Sequence, residues 1–190
     1  MYDRLVSIAR DLRHASPREL RERITSGFPV DPRAIEGYAY RGTSLGLPRL
    51  IELATWKTFQ KTFWREPKSG RLMGWNVRLE QDGIDAPSRP IRRGGVPVTE
   101  WNYEVIPPEG VPMPAGFGRG LVIDYARAPN PRLAPVRRTK DPLVALAADD
   151  GCDELLGVSY LVVAGRVIET PTYFTLERDH RIDHVPRELR

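Results

Sequence analysis

A single carboxylate interrupts the apolar run Gly120-Leu121-Val122-Ile123-Asp124-Tyr125. On the inner side of a β-core Asp124 would carry a raised pKa and could serve as a general acid or base, with Tyr103 as hydrogen-bond donor. Strand alternation groups Asp124 with Val122 and Ala126, opposite Leu121, Ile123 and Tyr125, so a solvent-facing Asp124 is the competing reading. Trp75, Trp101, Tyr103 and Met73 fall on the apolar sides of two alternating stretches. Together with Tyr125 they would line a small-molecule pocket if the sheet closes, because a barrel interior must be filled by side chains or by a ligand. The bland alternative is that these aromatics are ordinary core.

Other candidates for chemistry fail on spacing or surroundings. Gly116-Phe117-Gly118-Arg119-Gly120 has the wrong spacing for a dinucleotide loop and precedes a strand instead of a helix. His180 and His184 are four apart, but they stand in a charged terminal segment that stops at Pro186, so no metal site is expected. Cys152 lies among Asp149, Asp150, Asp153 and Glu154, where anions oppose thiolate formation. No motif calls for a cofactor. Net charge is +4, but Arg92-Arg93 and Arg137-Arg138 are the only tight basic pairs, and no aromatics interleave with them as stacking platforms. A nucleic-acid partner is not expected. The single cysteine excludes an intrachain disulfide, and no apolar leader or membrane-length apolar run is visible, so the expectation is a cytoplasmic protein without membrane insertion.

The elements that must position these residues can be read from periodicity. Leu5, Ile8, Ala9 and Leu12 fall at helical spacing. Ser16-Pro17-Arg18-Glu19 is a capping box that opens a second helix, with Leu20 and Ile24 on its buried side and Gly27 as its C-terminal cap. This helical pair, residues 1–30, would either pack on the β-core or form a homodimer contact. A third helix is expected from Pro48 to about Trp64, apolar on two sides; the alternative is a break midway with the second half extended. Residues 31–180 otherwise read as β. Strands are expected at Gly37–Leu45, Arg71–Gln81, Val98–Ile106 and Gly120–Arg127. A hairpin around Ala164-Gly165 and a last strand at Tyr173–Arg178 follow. Asp141-Pro142 would cap one helical turn through Leu146, and residues 181–190 form a charged tail. The long proline-rich connections at 84–97, 107–118 and 128–141 read as lips around a site or as insertions.

Tyr38-Ala39-Tyr40-Arg41-Gly42, the aromatic stretch Trp56–Phe63, Val122–Tyr125, Leu156-Gly157-Val158 and Tyr173–Arg178 follow in order. Over about residues 36–178 the chain resembles the GXWXG-type family of unknown function, with Tyr38 and Tyr40 where that motif has glycine and tryptophan. The resemblance implies a lipocalin-like barrel and no established activity.

The expected fold is therefore mainly β with N-terminal helices: an antiparallel lipocalin-like barrel or a strongly curved sheet. The alternative is an α+β cone similar to nuclear transport factor two. The leading function is binding of a hydrophobic or amphipathic small molecule in the barrel. An acid–base enzyme of isomerase or cyclase type in the same cavity is the second reading, and a protein-interaction domain with a filled core the third.

Overall fold

Ser16 and Glu19 form the expected capping box. In the computed structural model, which describes residues 7–45, 56–148 and 151–189, Ser16 Oγ accepts from the Glu19 amide at 3.3 Å and the Glu19 carboxylate accepts from the Ser16 amide at 2.6 Å. Helix α1 (Ile8–Asp11) precedes it, runs into a 3-10 turn and is followed by α2 (Pro17–Ser26) and the single turn α3 (Pro32–Ile35). Leu5 lies outside the described residues. Ala9, Leu12, Leu20 and Ile24 pack on the outer wall of the sheet, against Leu45, Val144, Leu156 and Val158. Gly27 does not end α2 in a left-handed conformation; its φ is −61°. A Cβ there would stand 2.4 Å from Val144 Cγ2, so the glycine serves the close approach of helix to wall.

Ten strands follow among the described residues: β1 (Tyr38–Leu45), β2 (Thr58–Arg65), β3 (Leu72–Arg78), β4 (Arg92–Arg93), β5 (Val96–Pro97), β6 (Thr99–Ile106), β7 (Leu121–Asp124), β8 (Thr139–Ala145), β9 (Glu154–Val163) and β10 (Arg166–Arg181). Eight of them close into an antiparallel barrel in the order β1-β10-β9-β8-β7-β6-β3-β2, and β4 and β5 pair as a small separate ribbon. Closure excludes the cone-shaped alternative, whose sheet stays open. No helix among the described residues is long and apolar enough to cross a membrane.

Three elements differ from the sequence reading. The helix expected over 48–64 lies partly outside the described residues, and its second half is β2: Thr58, Phe59, Thr62, Phe63 and Trp64 are strand formers, and pairing with β1 and β3 decides their conformation. The helical turn expected after Asp141-Pro142 is strand β8, which has Pro142 where it faces Val122 of β7. The hairpin strand at Val167 and the last strand at Tyr173 are one strand, β10, whose register against β9 shifts between Glu169 and Thr172 around Pro171.

Eight strands enclose a space about wide enough for side chains to fill. Edge-to-face ring contacts fill one end: Tyr40 with Phe63 at 5.3 Å between centroids, Phe63 with Tyr103 at 6.4 Å, and Tyr103 with Tyr125 at 5.4 Å. A separate cluster coats the outside of β3, where Ile182, Val185 and Leu189 of the C-terminal segment cover Met73, Trp75 and Val77. The expected charged tail is thus in part an apolar strap.

Candidate functional site

Along β2 the side chains of Phe59, Lys61 and Phe63 share one side of the pleat, and closure turns that side inward. Lys61 is therefore buried in the barrel, alone among the four lysines of the chain. Its ammonium donates to Asn76 Oδ1 at 3.0 Å and to the Tyr125 hydroxyl at 2.6 Å, and it forms an ion pair with Asp141 Oδ2 at 3.2 Å. The Tyr125 hydroxyl in turn donates to Asp141 Oδ2 at 3.0 Å, and Ser159 donates to Asp141 Oδ1 at 2.8 Å. Rings surround the cation. Lys61 Nζ lies 5.0 Å from the Tyr103 centroid, 5.2 Å from Tyr125, 5.3 Å from Phe174 and 5.7 Å from Phe59.

Asn76, Asp141 and Ser159 come from three strands, and Tyr125 from the 3-10 turn after β7. Asn76 is itself oriented by an unusual backbone. Between Gly74↔Tyr103 and Asn76↔Glu100 the β6 strand carries one residue more than β3, and Trp101 takes φ +54° in that bulge. The bulge frees the Trp101 carbonyl to accept from Asn76 Nδ2 at 3.4 Å.

Removal of Lys61 from water pushes its pKa below the ordinary lysine value, and the Asp141 carboxylate draws it part of the way back. Burial raises the Tyr125 hydroxyl well above the usual phenol range, and the Asp141 charge adds to that rise. Tyr125 is thus a neutral relay that touches both members of the ion pair. A cavity of about 170 Å³ opens on this cluster. Trp56, Phe59 and Phe174 give it apolar walls, and Ser44 and Thr172 stand with Lys61, Asn76, Tyr125, Asp141 and Ser159 on its polar side.

The residues singled out from the sequence are not brought together. Tyr125 belongs to the cluster. Tyr103 faces inward, but its hydroxyl donates to the Thr62 carbonyl at 2.9 Å and accepts from the Thr62 amide at 3.1 Å, bridging a gap in the β2–β3 ladder. It has no proton to offer a ligand. Trp75 and Met73 face outward beneath the C-terminal strap, because the more apolar side of β3 is the covered outer one. Trp101 is turned out by the bulge and is 37% exposed. Asp124 faces out of the barrel too, paired with Lys140 at 2.5 Å and accepting from the Ala126 amide at 2.9 Å. The inward carboxylate is Asp141. His180 and His184 hold no metal-ligand group with other residues among those described.

Lys61, Asp141, Asn76 and Ser159 were missed. Their one sequence signal is the alternation Phe59-x-Lys61-x-Phe63, which sets a cation on the aromatic side of a strand, and it is readable only once that segment is taken as β. No protein-family model matches the chain, and no curated protein matches it.

Proposed function

We propose that the barrel mouth binds a small amphipathic molecule. Its apolar part lies against Trp56, Phe59 and Phe174, and its polar end meets the Lys61–Tyr125–Asp141–Ser159 cluster. The observation that carries this reading is the cavity itself, which opens on a buried ion pair with rings on one side and hydrogen-bonding groups on the other. The pair and its hydrogen-bonding neighbours offer fixed polar partners to one end of a ligand whose other end meets the rings. At about 170 Å³ the space is smaller than the roughly 300–1,000 Å³ of drug-sized pockets, and the occupant is of the size of a substituted benzene. The likeness to the GXWXG-type family belongs to the same proposal, since a lipocalin-like barrel is what that likeness implies.

Cinnamyl alcohol, a ring with a three-carbon hydroxyl arm, has the required shape. Titration followed by calorimetry and by tryptophan emission should give saturable binding that Phe174→Ala weakens. A linear, unsaturable response would remove the pocket reading.

Acid–base chemistry in the same cavity is a second reading, now on Asp141 instead of Asp124. The hydroxyl of Tyr125 between Lys61 and Asp141 favours it, because that hydrogen-bonded chain can pass a proton between its members.

A further inference from the structure

We infer that Lys61 captures carbonyl compounds: the ligand of the barrel mouth is a small hydrophobic aldehyde or ketone, held as an imine on Nζ. This rests on the mouth being a small-molecule site and names the class of molecule that it takes.

Four features converge on Lys61. Its amine is the only lysine nitrogen inside the barrel, and it borders the cavity. Desolvation among rings is the setting that turns a lysine into a nucleophile, because it disfavours the ammonium. Asp141, 3.2 Å away, can take the proton that the amine must lose and then serve as counterion to the product. The Tyr125 hydroxyl, touching both Nζ and Asp141, can hand a proton to the carbonyl oxygen as it becomes a hydroxyl. Asn76 and Ser159 hold the two charged groups in place from either side.

The step balances without a co-reactant. A proton passes from Nζ to Asp141. The free electron pair of Nζ forms a bond to the carbonyl carbon as the carbon–oxygen π pair moves to oxygen, which takes a proton from Tyr125. Tyr125 is reprotonated from Nζ of the adduct. The carbinolamine hydroxyl then takes the proton held by Asp141 and leaves as water. Lysine ammonium plus aldehyde has become iminium plus water, with Asp141 again a carboxylate opposite the positive nitrogen. Trp56, Phe59 and Phe174 supply the apolar walls for the remainder of the molecule.

A different fate for the pair is a purely structural one, and a chemical trap separates the two. The full chain is incubated with cinnamaldehyde, reduced with cyanoborohydride, digested and mapped by mass spectrometry. The expected result is a saturable secondary-amine adduct on the Lys61 peptide, suppressed by excess cinnamyl alcohol, with Lys57, Lys68 and Lys140 at background. Lys61→Arg, which keeps the cation without the nucleophile, should lose the adduct. If cinnamyl alcohol binds but Lys61 takes no adduct, the imine is overturned and the pocket stands. An adduct spread evenly over the four lysines overturns the imine as well. If neither compound engages the mouth, both readings fall. Should Lys61→Arg not fold, competition by cinnamyl alcohol on the unaltered chain still decides the matter.

Discussion

Lys61 and Asp141 are each other's reason for being tolerated inside the barrel. Removing one leaves the other charged, dry and unpaired, which costs about 3–5 kcal/mol, whereas replacing both with apolar groups is close to neutral. Urea unfolding should therefore show Lys61→Met strongly destabilised and Lys61→Met with Asp141→Leu much nearer to the parent. Equal additive losses would mean that the two groups do not interact in the folded state. At this scale the sequence was informative about type and silent about partner. Tyr125 could be placed on the inner side by its alternation with Asp124. Nothing in the run Thr139-Lys140-Asp141-Pro142 tells that Asp141 looks inward at a lysine 80 positions earlier, since that depends on closure. Period-2 reasoning on Met73, Trp75 and Val77 failed for a related reason. It assigns the apolar side to the core, and this barrel has apolar cover on both sides of β3.

Single residues also decide how the strands lie. Trp101 occupies a left-handed conformation that suits glycine, and its ring is partly exposed. Trp101→Gly should then cost less than about 1 kcal/mol instead of the ~3–5 kcal/mol of a packed tryptophan, as read from the thermal midpoint. A large loss would place the indole in the core. Two strands away, the β2–β3 ladder is completed by side chains. Besides the Tyr103 hydroxyl on the Thr62 backbone, Thr62 Oγ1 accepts from the Trp75 amide and donates to its carbonyl, both at 3.0 Å. Gly74 makes room for this, since a Cβ there would stand 2.1 Å from the Thr62 carbonyl oxygen and 2.2 Å from the Tyr103 ring. Tyr103→Phe strands a buried amide and carbonyl and should cost about 1–3 kcal/mol. Exchange of the Thr62 amide, followed by NMR, should quicken at the same time; an unchanged rate would show that the hydroxyl is not its partner. The strands themselves were legible where alternation was strong, as at β3 and β6, or where an apolar run met a turn signal, as at β9 before Ala164-Gly165. β2 and β8 were hidden because Thr58–Arg65 and Thr139–Ala145 carry charges on inward positions, which breaks the alternation that marks a strand.

For the molecule as a whole, the burial of phenols sets a limit at high pH. Tyr40, Tyr103, Tyr125, Tyr160 and Tyr173 all have raised pKa values with burial as the first cause. Above about pH 10 the unfolded chain sheds those protons and the folded barrel keeps them, so stability present below that pH is lost as pH rises. Phenolate absorbance should rise together with loss of the sheet signal in circular dichroism. Smooth ionisation of these tyrosines with the sheet intact would contradict the burial described above.

Pairing of β1 with β10 sets the order in which the barrel can be built. Tyr40 and Arg178, bonded side chain to side chain at 3.2 Å, are 138 positions apart. During synthesis, β2 has both of its neighbours once β3 emerges, whereas β3 waits for β6, and β1 has no second partner until nearly the whole domain has left the ribosome. The interior cation and its carboxylate stay in water for the same period, because the wall that dries them is the last one made. Closure is thus one late event that pays for ordering a long loop and for desolvating two charges at once. Such a topology folds slowly, and the half-built sheet presents two open edges to its neighbours while it waits.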